Sequence, residues 1–198
     1  GFRRGFGLNF EDEIPGRGKM DIRTIIAPSI NDRDGLEEFF EALIDQTPNI
    51  ERDIAKLKSS PEDREIISSL FRAVHNIKGD ATLCKVDMAT ALVHPIETVL
   101  ARFRNNEIAF TDILAEAILL AIDRLELAVE GLLTHKSLDN LRLLPLLQGL
   151  ERMAIAAAPD MDDAAGEMIE AVTGFRPVAA SALFRGRSSS ISSRSKSQ

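Results

Sequence analysis

Two histidines with charged neighbours are the residues of this sequence best suited to chemistry. His75 is followed at i+3 and i+4 by Lys78 and Gly79, and His94 is followed at i+3 by Glu97. A neutral imidazole has an unperturbed pKa of about 6.5 and a ring nitrogen that can act as a nucleophile, so it can take a phosphoryl group near neutral pH. A carboxylate that accepts the Nδ1–H would fix the tautomer that leaves Nε2 free. We therefore take His75 as a candidate nucleophile and Glu97 as its candidate orienting group.

Lys78 and Gly79 fit the same hypothesis. A lysine ammonium would offset the charge of phosphoryl oxygens, both during transfer and in the product. A glycine inside a helix costs about 1 kcal/mol relative to alanine, so it usually has a packing or functional reason. Here that reason would be room for a partner's active site to close over His75. The alternative is that His75 is an ordinary surface histidine and Gly79 a loose position near a helix end.

A helical pattern places His75 beside a buried face. The apolar residues of its segment recur at spacings of three and four, which is typical of an amphipathic helix. They are Ile66, Leu70, Val74, Ile77 and Ala81. Ser60 is the predicted N-cap and Pro61 the first helical residue, and the helix is predicted to run to about Leu83.

A similar helix follows after a short turn at residues 84–86. Asp87 is its predicted N-cap. Its apolar stripe is Met88, Leu92, Ile96, Val99 and Phe103. So short a connection predicts an antiparallel hairpin, in which His75 and His94 come level because each lies about nine residues from the middle of the turn. The hairpin should then gather four polar residues on one flank: His75, Lys78, His94 and Glu97.

The remaining pattern predicts an all-α fold, an antiparallel four-helix bundle with one or two extra C-terminal helices. A long helix is expected to start near Leu36 and to run through Pro48, because the apolar phase continues unbroken past the proline. Another is expected to start at Thr111. A fifth is expected to be capped by Ser137 and stopped by Pro159.

This interpretation divides the chain into three parts. Residues 1–32 form a leader with at most a short helix near Met20 to Ile26, and residues 33–158 form the helical bundle. Residues 159–198 hold a short helix, predicted from Met161 to Thr173, and then a Ser- and Arg-rich tail. The composition of that tail is typical of disorder.

Composition and charge weigh against several classes of function. The 198 residues carry a net charge of −7, although residues 181–198 hold four basic and no acidic side chains. The rest of the chain is acidic, which argues against nucleic acid as its main partner. The single cysteine, Cys84, excludes an intrachain disulfide and fits a reducing compartment. The chain has neither an apolar run of the ~18 residues that a membrane span needs nor the apolar core of a signal peptide, so a cytoplasmic protein is predicted.

Two motifs carry a family resemblance. The segment A-V-H-N-I-K-G at residues 73–79, followed by H-P-I-E at residues 94–97, resembles the histidine phosphotransfer (HPt) domain. It is most similar to the N-terminal phosphorylatable domain of CheA-type chemotaxis kinases. That family is a bundle of four helices plus a fifth, with the acceptor histidine in an H-x-x-K-G motif on the second helix and an H-x-x-E motif on the third. The resemblance covers residues 33–135, with a looser match to about residue 158.

The resemblance implies a role for each residue of the two motifs. His75 would be the phospho-acceptor, Lys78 and Gly79 its motif partners, Glu97 the carboxylate that fixes its tautomer and His94 an auxiliary histidine. No Gly-rich phosphate loop occurs in the chain, so the protein would be a phosphocarrier, or a fragment of a histidine kinase, rather than an enzyme with its own ATP-binding domain. It would act as a monomer without a cofactor. Its partners would be a histidine kinase catalytic domain and a response-regulator receiver domain.

Two other interpretations stay open. Two histidines and a glutamate could hold a metal ion, although the Lys78 ammonium beside His75 would repel a cation. The second alternative is a structural helical module for protein interaction. In that module the polar residues would be surface decoration and the apolar stripes only core.

Overall fold

The computed structural model of the protein describes residues 23–26, 28 and 32–178. These residues form helices and connecting turns without a strand. The helices are α1 (Arg23–Ile26), α2 (Arg33–Ser59), α3 (Arg64–Leu83), α4 (Asp87–Arg104), α5 (Asp112–Leu133), α6 (Leu143–Ile155) and α7 (Met161–Thr173). Two short 3₁₀ turns, Asp139–Leu141 and Ala158–Asp160, precede α6 and α7. The predicted all-α fold is thus confirmed, with α2 to α5 as the four-helix bundle and α6 and α7 as the extra helices.

The packing order of the helices places α3 at the centre of one side of the bundle. Helix α3 packs against both α2 and α4, and α2 also packs against α5. Helices α6 and α7 pair with each other, α6 covering α4 and α7 covering α5. The outer face of α3 is therefore left uncovered by the C-terminal helices.

The leader contributes a short helical turn to this arrangement. Helix α1 contacts α4 and α6, and Ile25 is buried there. The predicted helix near Met20 to Ile26 is present from Arg23 onward, while residues 1–22 lie outside the described residues. The disordered tail that the composition predicts falls on residues 179–198, which also lie outside them.

The apolar stripes form one continuous core. On α3, Leu70, Val74, Ile77 and Ala81 are fully buried, as predicted, whereas at the start of the stripe Ile67 is buried and Ile66 only partly so. Because successive residues of a helix differ by about 100°, both isoleucines flank the core and only packing against neighbours decides which is enclosed. His75 lies outside this stripe and is exposed.

Helix α2 runs unbroken through Pro48, as the apolar phase predicts. Pro48 cannot donate to the carbonyl of Ile44, which loses its helical hydrogen bond. The proline is exposed, so water can reach the freed carbonyl. Thr47, just before it, is buried and satisfies its hydroxyl by donating to the carbonyl of Leu43 at 2.9 Å.

The predicted start of α3 is wrong by several residues. Ser60 terminates α2, and the N-cap of α3 is Asp63, whose carboxylate accepts hydrogen bonds from the backbone N–H groups of Glu65 and Ile66. Asp caps helices as well as Ser does, so local sequence offered two candidates. The tight turn between the antiparallel helices, closed by the N–H of Asp63 donating to the carbonyl of Ser60 at 3.1 Å, selects the later one.

Two other predicted caps are also wrong. The N-cap of α4 is Val86, without a side-chain hydrogen bond, and Asp87 is the first helical residue, where its charge still suits the helix dipole. Ser137 caps neither α6 nor the 3₁₀ turn before it, whose N-cap is Leu138; its hydroxyl only accepts from the N–H of Asp139. The N-cap of α6 is Arg142, which has a left-handed conformation (φ 56°).

The other predicted helix boundaries agree more closely with the structure. Thr111 caps α5 by accepting from the N–H of Leu114, as predicted. Helix α7 has the predicted span and ends at Gly174 (φ 77°), where glycine favours the left-handed conformation. Helix α6 ends at Ile155, before Pro159 is reached.

Candidate functional site

The hairpin of α3 and α4 brings His75, Lys78 and Glu97 into direct contact. Nδ1 of His75 lies 2.8 Å from Oε2 of Glu97, and Nζ of Lys78 lies 2.5 Å from Oε1 of the same carboxylate. The turn at residues 84–86 that joins the helices is tight, with Lys85 in a left-handed conformation (φ 57°). Glu97 therefore uses both of its oxygens on residues of the facing helix.

The three side chains are buried to different depths. The side chain of His75 is 59% exposed, whereas those of Lys78 and Glu97 are 25% and 15% exposed. Glu97 thus forms the floor of the cluster, and His75 stands at its solvent edge. An imidazole in this position is held from below and open to a partner from above.

The protonation state of Glu97 decides the tautomer of His75. Burial would raise the pKa of Glu97, but hydrogen bonds from Lys78 and then from His75, together with their charges, outweigh burial and hold that pKa below its ordinary value. Near neutral pH the carboxylate is ionised, and an ionised carboxylate can only accept hydrogen bonds. The proton between the two groups therefore belongs to Nδ1 of His75. Nε2 carries the free lone pair and has no hydrogen-bond partner among the described residues.

Lys78 is held by the carboxylate rather than standing free. Its ammonium has three donors, of which the bond to Glu97 uses one. It therefore neutralises Glu97 in this state and keeps two donors for other acceptors. The sequence-based role of Lys78, offsetting the charge of phosphoryl oxygens, stays a prediction.

Gly79 has no role in packing. A Cβ built at this position would meet no other atom within 4 Å, and Gly79 is an exposed residue inside α3. Its backbone is helical and has no left-handed φ that would require glycine. The unfavourable helix propensity of glycine has no reason within the described fold, which favours a reason outside it.

His94 lies on α4, one helical turn before Glu97, and is exposed. Its backbone carbonyl accepts a hydrogen bond from the hydroxyl of Thr98 at 3.1 Å. The two hydrogen bonds that join His75, Lys78 and Glu97 do not include it. The auxiliary role that the resemblance implies for His94 therefore stays a prediction.

The structure adds two neighbours of His75 that sequence reasoning missed. The ring of Phe71 stacks with the imidazole, with ring centroids 6.0 Å apart and planes inclined by 15°. The guanidinium of Arg104, at the end of α4, lies 3.9 Å from the centroid of the Phe71 ring. The i−4 spacing of Phe71 from His75 could have revealed the first contact. Nothing in the spacing could have revealed the second, because Arg104 arrives from the facing helix.

An open depression flanks His75 on the side of α2. It is lined by Gln46, His75, Asn76, Gly79, Asp80 and Leu83. Leu83 is 81% exposed, although large apolar side chains are mostly buried in this fold. The depression joins the imidazole, the open glycine and an uncovered apolar side chain on one surface.

The metal site that the sequence left open and the single thiol, Cys84, are the other reactive candidates among the described residues. Within the part of the chain that the structure describes, no group of three or more His, Cys, Asp or Glu residues is arranged to hold a metal ion. Burial, and then the charges of Glu38, Asp80 and Asp32, raise the pKa of Cys84, so its thiol stays protonated near neutral pH.

Comparison with known proteins matches the region that contains this cluster to a family. Residues 34–128 match the model of the Hpt domain. The chain contains an Hpt domain. The match spans just under half of the chain, and it includes α3 and α4 with both motifs, so this Hpt domain holds the His75 cluster on its surface.

The similar proteins are chemotaxis kinases. The chain is 31% identical over 88 residues to the sensor histidine kinase CheAY of Helicobacter pylori, which is 44% of this chain and 11% of that protein. It is 28% identical over 123 residues to chemotaxis protein CheA of Rhizobium meliloti, covering 62% of this chain and 16% of the relative. It is 31% identical over 135 residues to chemotaxis protein CheA of Cereibacter sphaeroides, covering 68% and 16%. The chain thus spans less than a fifth of the length of these relatives.

The Hpt match ends before the C-terminal helix pair. Helices α6 and α7 lie outside it, although α6 packs directly on α4. No helix among the described residues is both long and apolar enough to cross a membrane.

Proposed function

We propose that the chain is a histidine phosphocarrier of a two-component phosphorelay and that His75 is its phospho-acceptor. The observation that carries this proposal is the contact between Nδ1 of His75 and the ionised carboxylate of Glu97. It leaves Nε2 as the free nucleophile on an exposed imidazole. A purely decorative surface histidine has no need of a half-buried carboxylate and lysine beneath it.

The transfer step follows from this arrangement. The lone pair of Nε2 attacks the phosphorus of the donor, an N–P bond forms, and the bond between phosphorus and the leaving oxygen breaks. The proton on Nδ1 stays in place, hydrogen-bonded to Glu97, and the carboxylate stabilises the positive charge that the ring develops. The reverse step passes the phosphoryl group from Nε2 to a carboxylate oxygen of the acceptor.

The depression beside His75 is the surface on which we place the partner. A response-regulator receiver domain that approaches Nε2 would meet Gly79, where no side chain obstructs it, and the exposed Leu83 one turn further on. The buried core of an interface is more apolar than its rim, and an exposed leucine beside the reacting atom suits a position in that core. This accounts for the glycine that the fold itself does not require.

The donor and acceptor belong to the same signalling chemistry. The phosphoryl group would come from an ATP-dependent histidine kinase catalytic domain or from the aspartyl phosphate of a receiver domain, and it would pass to the aspartate of a response regulator. The similarity to chemotaxis kinases supports a place in chemotaxis signalling. We propose that the module acts in the cytoplasm, as a monomer, and without catalytic activity of its own.

The deciding experiment is labelling of wild type and a His75→Gln variant. Each protein is incubated with an active CheA-type kinase domain and labelled ATP, or with a phosphorylated receiver domain, and acid-labile, base-stable label is scored. We expect label on wild type and none on His75→Gln. A His135→Gln variant, which removes an exposed histidine in the loop after α5, is the matched control and should label like wild type.

Other outcomes would contradict the proposal. Equal label on wild type and His75→Gln would mean that another residue is the acceptor. No label on any variant, with several donors tested, would favour the structural helical module instead.

A further inference from the structure

Two arginines beside His75 have no part in the proposed transfer step. Arg72 precedes His75 by three residues on α3 and is exposed, so it neighbours His75 on the helix surface. Arg104 ends α4 and reaches the same area from the facing helix. We call Arg72 and Arg104 the arginine pair.

Arg104 is held in place rather than free in solvent. Its guanidinium lies 3.9 Å from the centroid of the Phe71 ring, and that ring stacks with the imidazole of His75. Its backbone carbonyl accepts a hydrogen bond of 2.9 Å from Nη1 of Arg64. A guanidinium over an aromatic face is attracted by the ring electrons. The cation is thus fixed one aromatic ring away from the proposed acceptor.

The arginine pair is not neutralised within the described residues. Neither Arg72 nor Arg104 forms an ion pair with a described carboxylate, although other arginines of this acidic chain do. Those that do are Arg33 with Glu37, Arg102 with Glu107, Arg124 with Asp123, and Arg176 with Asp163 and Glu170. One of these two cations lies three residues before His75 on α3 and the other lies over the ring that stacks with the imidazole, and without carboxylate partners both favour an anionic group at this edge of the site.

The surroundings of His75 are therefore asymmetric. The arginine pair lies toward the start of α3, while Asp80 and the exposed Leu83 lie toward its end, in the depression on the other side. A partner that covers His75 meets cations at one edge and a carboxylate with an apolar side chain at the other. Such asymmetry permits only one orientation of a charged partner about the imidazole.

We propose that the arginine pair is a docking patch for the acidic edge of the receiver domain that exchanges phosphoryl groups with His75. This inference rests on the proposed function. Charge complementarity identifies the partner, because the group that accepts the phosphoryl from His75 is a carboxylate and the group in transit is itself anionic. The patch orients the receiver so that its carboxylates face the arginine pair and its apolar side chains face Leu83.

The exposure of the arginine pair determines which quantity it controls. Charges at an exposed interface edge mainly raise the rate of association, and salt screens them. The arginine pair should therefore raise kcat/KM for transfer at low salt and leave kcat at saturating receiver unchanged.

The test uses charge reversal in the full chain. Wild type and the double variant Arg72→Glu/Arg104→Glu are first phosphorylated by a kinase domain. Transfer is then measured to the receiver domain that reacts fastest with wild type. We expect kcat/KM of the double variant to fall about tenfold at low salt, within the range of electrostatic steering. The difference in kcat/KM between wild type and the double variant should disappear at about 0.5 M salt, where screening limits electrostatic attraction to short distances.

Two control variants isolate the effect of the patch. Arg152→Glu makes the same charge change at an exposed position of α6, a helix that packs on α4 and α7, and should transfer like wild type. Arg104→Lys keeps the charge but loses the planar stacking on Phe71. It should keep most of the transfer rate. Circular dichroism of each variant should match wild type.

The possible outcomes separate this inference from the proposed function. Equal kcat/KM for wild type and the double variant at low salt would overturn the inference and leave His75 as the acceptor. If the double variant were phosphorylated more slowly by the kinase domain but transferred normally to the receiver, the inference would also be overturned. The arginine pair would then be assigned to the phosphates of a kinase-bound nucleotide. Absence of label on wild type would overturn the proposed function and this inference with it.

Discussion

The α3–α4 hairpin and the α6–α7 pair differ in the space that surrounds a glycine in each of them. At Gly79 of α3, an added Cβ would meet nothing within 4 Å. At Gly149 of α6, an added Cβ would overlap the side chain of Met168 and lie 3.1 Å from its Cα. One glycine is unnecessary for the fold and the other is required by it.

The contrast shows how the two regions divide their tasks. In the α6–α7 pair, glycine allows two helices to approach closely, and the interface is apolar and closed. In the hairpin, the apolar faces point inward and the outer face keeps its polar groups and its open glycine available. The C-terminal pair supports the site from behind through α4, where Nη1 of Arg102 donates to the carbonyls of Met153 and Ala154 at 3.3 and 3.2 Å.

Among the substitutions that test this difference, the largest change in the free energy of unfolding is expected at the closed interface between α6 and α7. Gly149→Ala should lower the free energy of unfolding by about 3 kcal/mol, because overpacking a close helix contact forces the backbone of α6 or α7 to move. Urea unfolding monitored by circular dichroism would measure it. The folded fraction should still accept phosphate on His75, since α6 does not contact the imidazole. An unchanged unfolding midpoint would show that the contact is loose.

A change of opposite sign is expected at the open glycine. Gly79→Ala should raise the free energy of unfolding by about 1 kcal/mol, because alanine has the higher helix propensity and no neighbour to collide with. If the receiver docks over Gly79 as proposed, phosphotransfer should nevertheless slow, since the new methyl group would stand in its way. Thermal unfolding and transfer rate, measured on the same samples, would check both.

Ser68→Ala is the matched control for Gly79→Ala. Ser68 is exposed on α3, two turns before His75, and alanine also improves helix propensity there. It should stabilise the chain without slowing transfer. If Gly79→Ala transferred as fast as Ser68→Ala, the glycine would not serve partner access.

The smallest expected effect is the pH dependence that Glu97 confers. Its pKa is lowered in the folded protein from the ordinary value of 4.5. Its ionised form therefore stabilises the fold fully above that ordinary value, and this contribution is lost as the pH falls through the lower pKa of the folded state. The difference in unfolding free energy between wild type and Glu97→Gln should be about 1 kcal/mol above pH 5 and shrink toward pH 3.

Glu41→Gln provides the comparison for that measurement. Glu41 is exposed on α2 and takes no part in the hydrogen bonds that join His75, Lys78 and Glu97. Its substitution should leave the pH dependence of stability close to that of wild type. A pH-independent difference between wild type and Glu97→Gln would mean that the carboxylate does not hold its two partners in solution.

Much of the fold could be predicted from periodicity. The hairpin, the helix through Pro48 and the span of α7 follow from apolar spacing and turn residues, and the structure has each of them. The helix starts were less predictable: Ser60, Asp87 and Ser137 all suit an N-cap, yet none caps the helix predicted for it. Local sequence provides several acceptable caps within a few residues, and tertiary packing selects among them.

The site was predictable in part. His75, Lys78 and Glu97 belong to two motifs whose spacing on a hairpin predicts their approach, and the structure brings them together. Neither the division of the Glu97 carboxylate between two partners nor the position of Arg104 over Phe71 has such a signal. Both depend on distances between side chains of different helices.

The sequence by itself determined which segments are helical, which of their faces are apolar, and which reactive groups lie on the outer face of α3 and α4. These properties arise from spacing along the chain, because helical geometry repeats every 3.6 residues. Only the tertiary structure decided that Glu97 divides its two carboxylate oxygens between His75 and Lys78, and that Arg104 lies over the Phe71 ring that stacks with the imidazole. Those contacts require a particular rotation and register of α4 against α3, which the packing of the shared core sets.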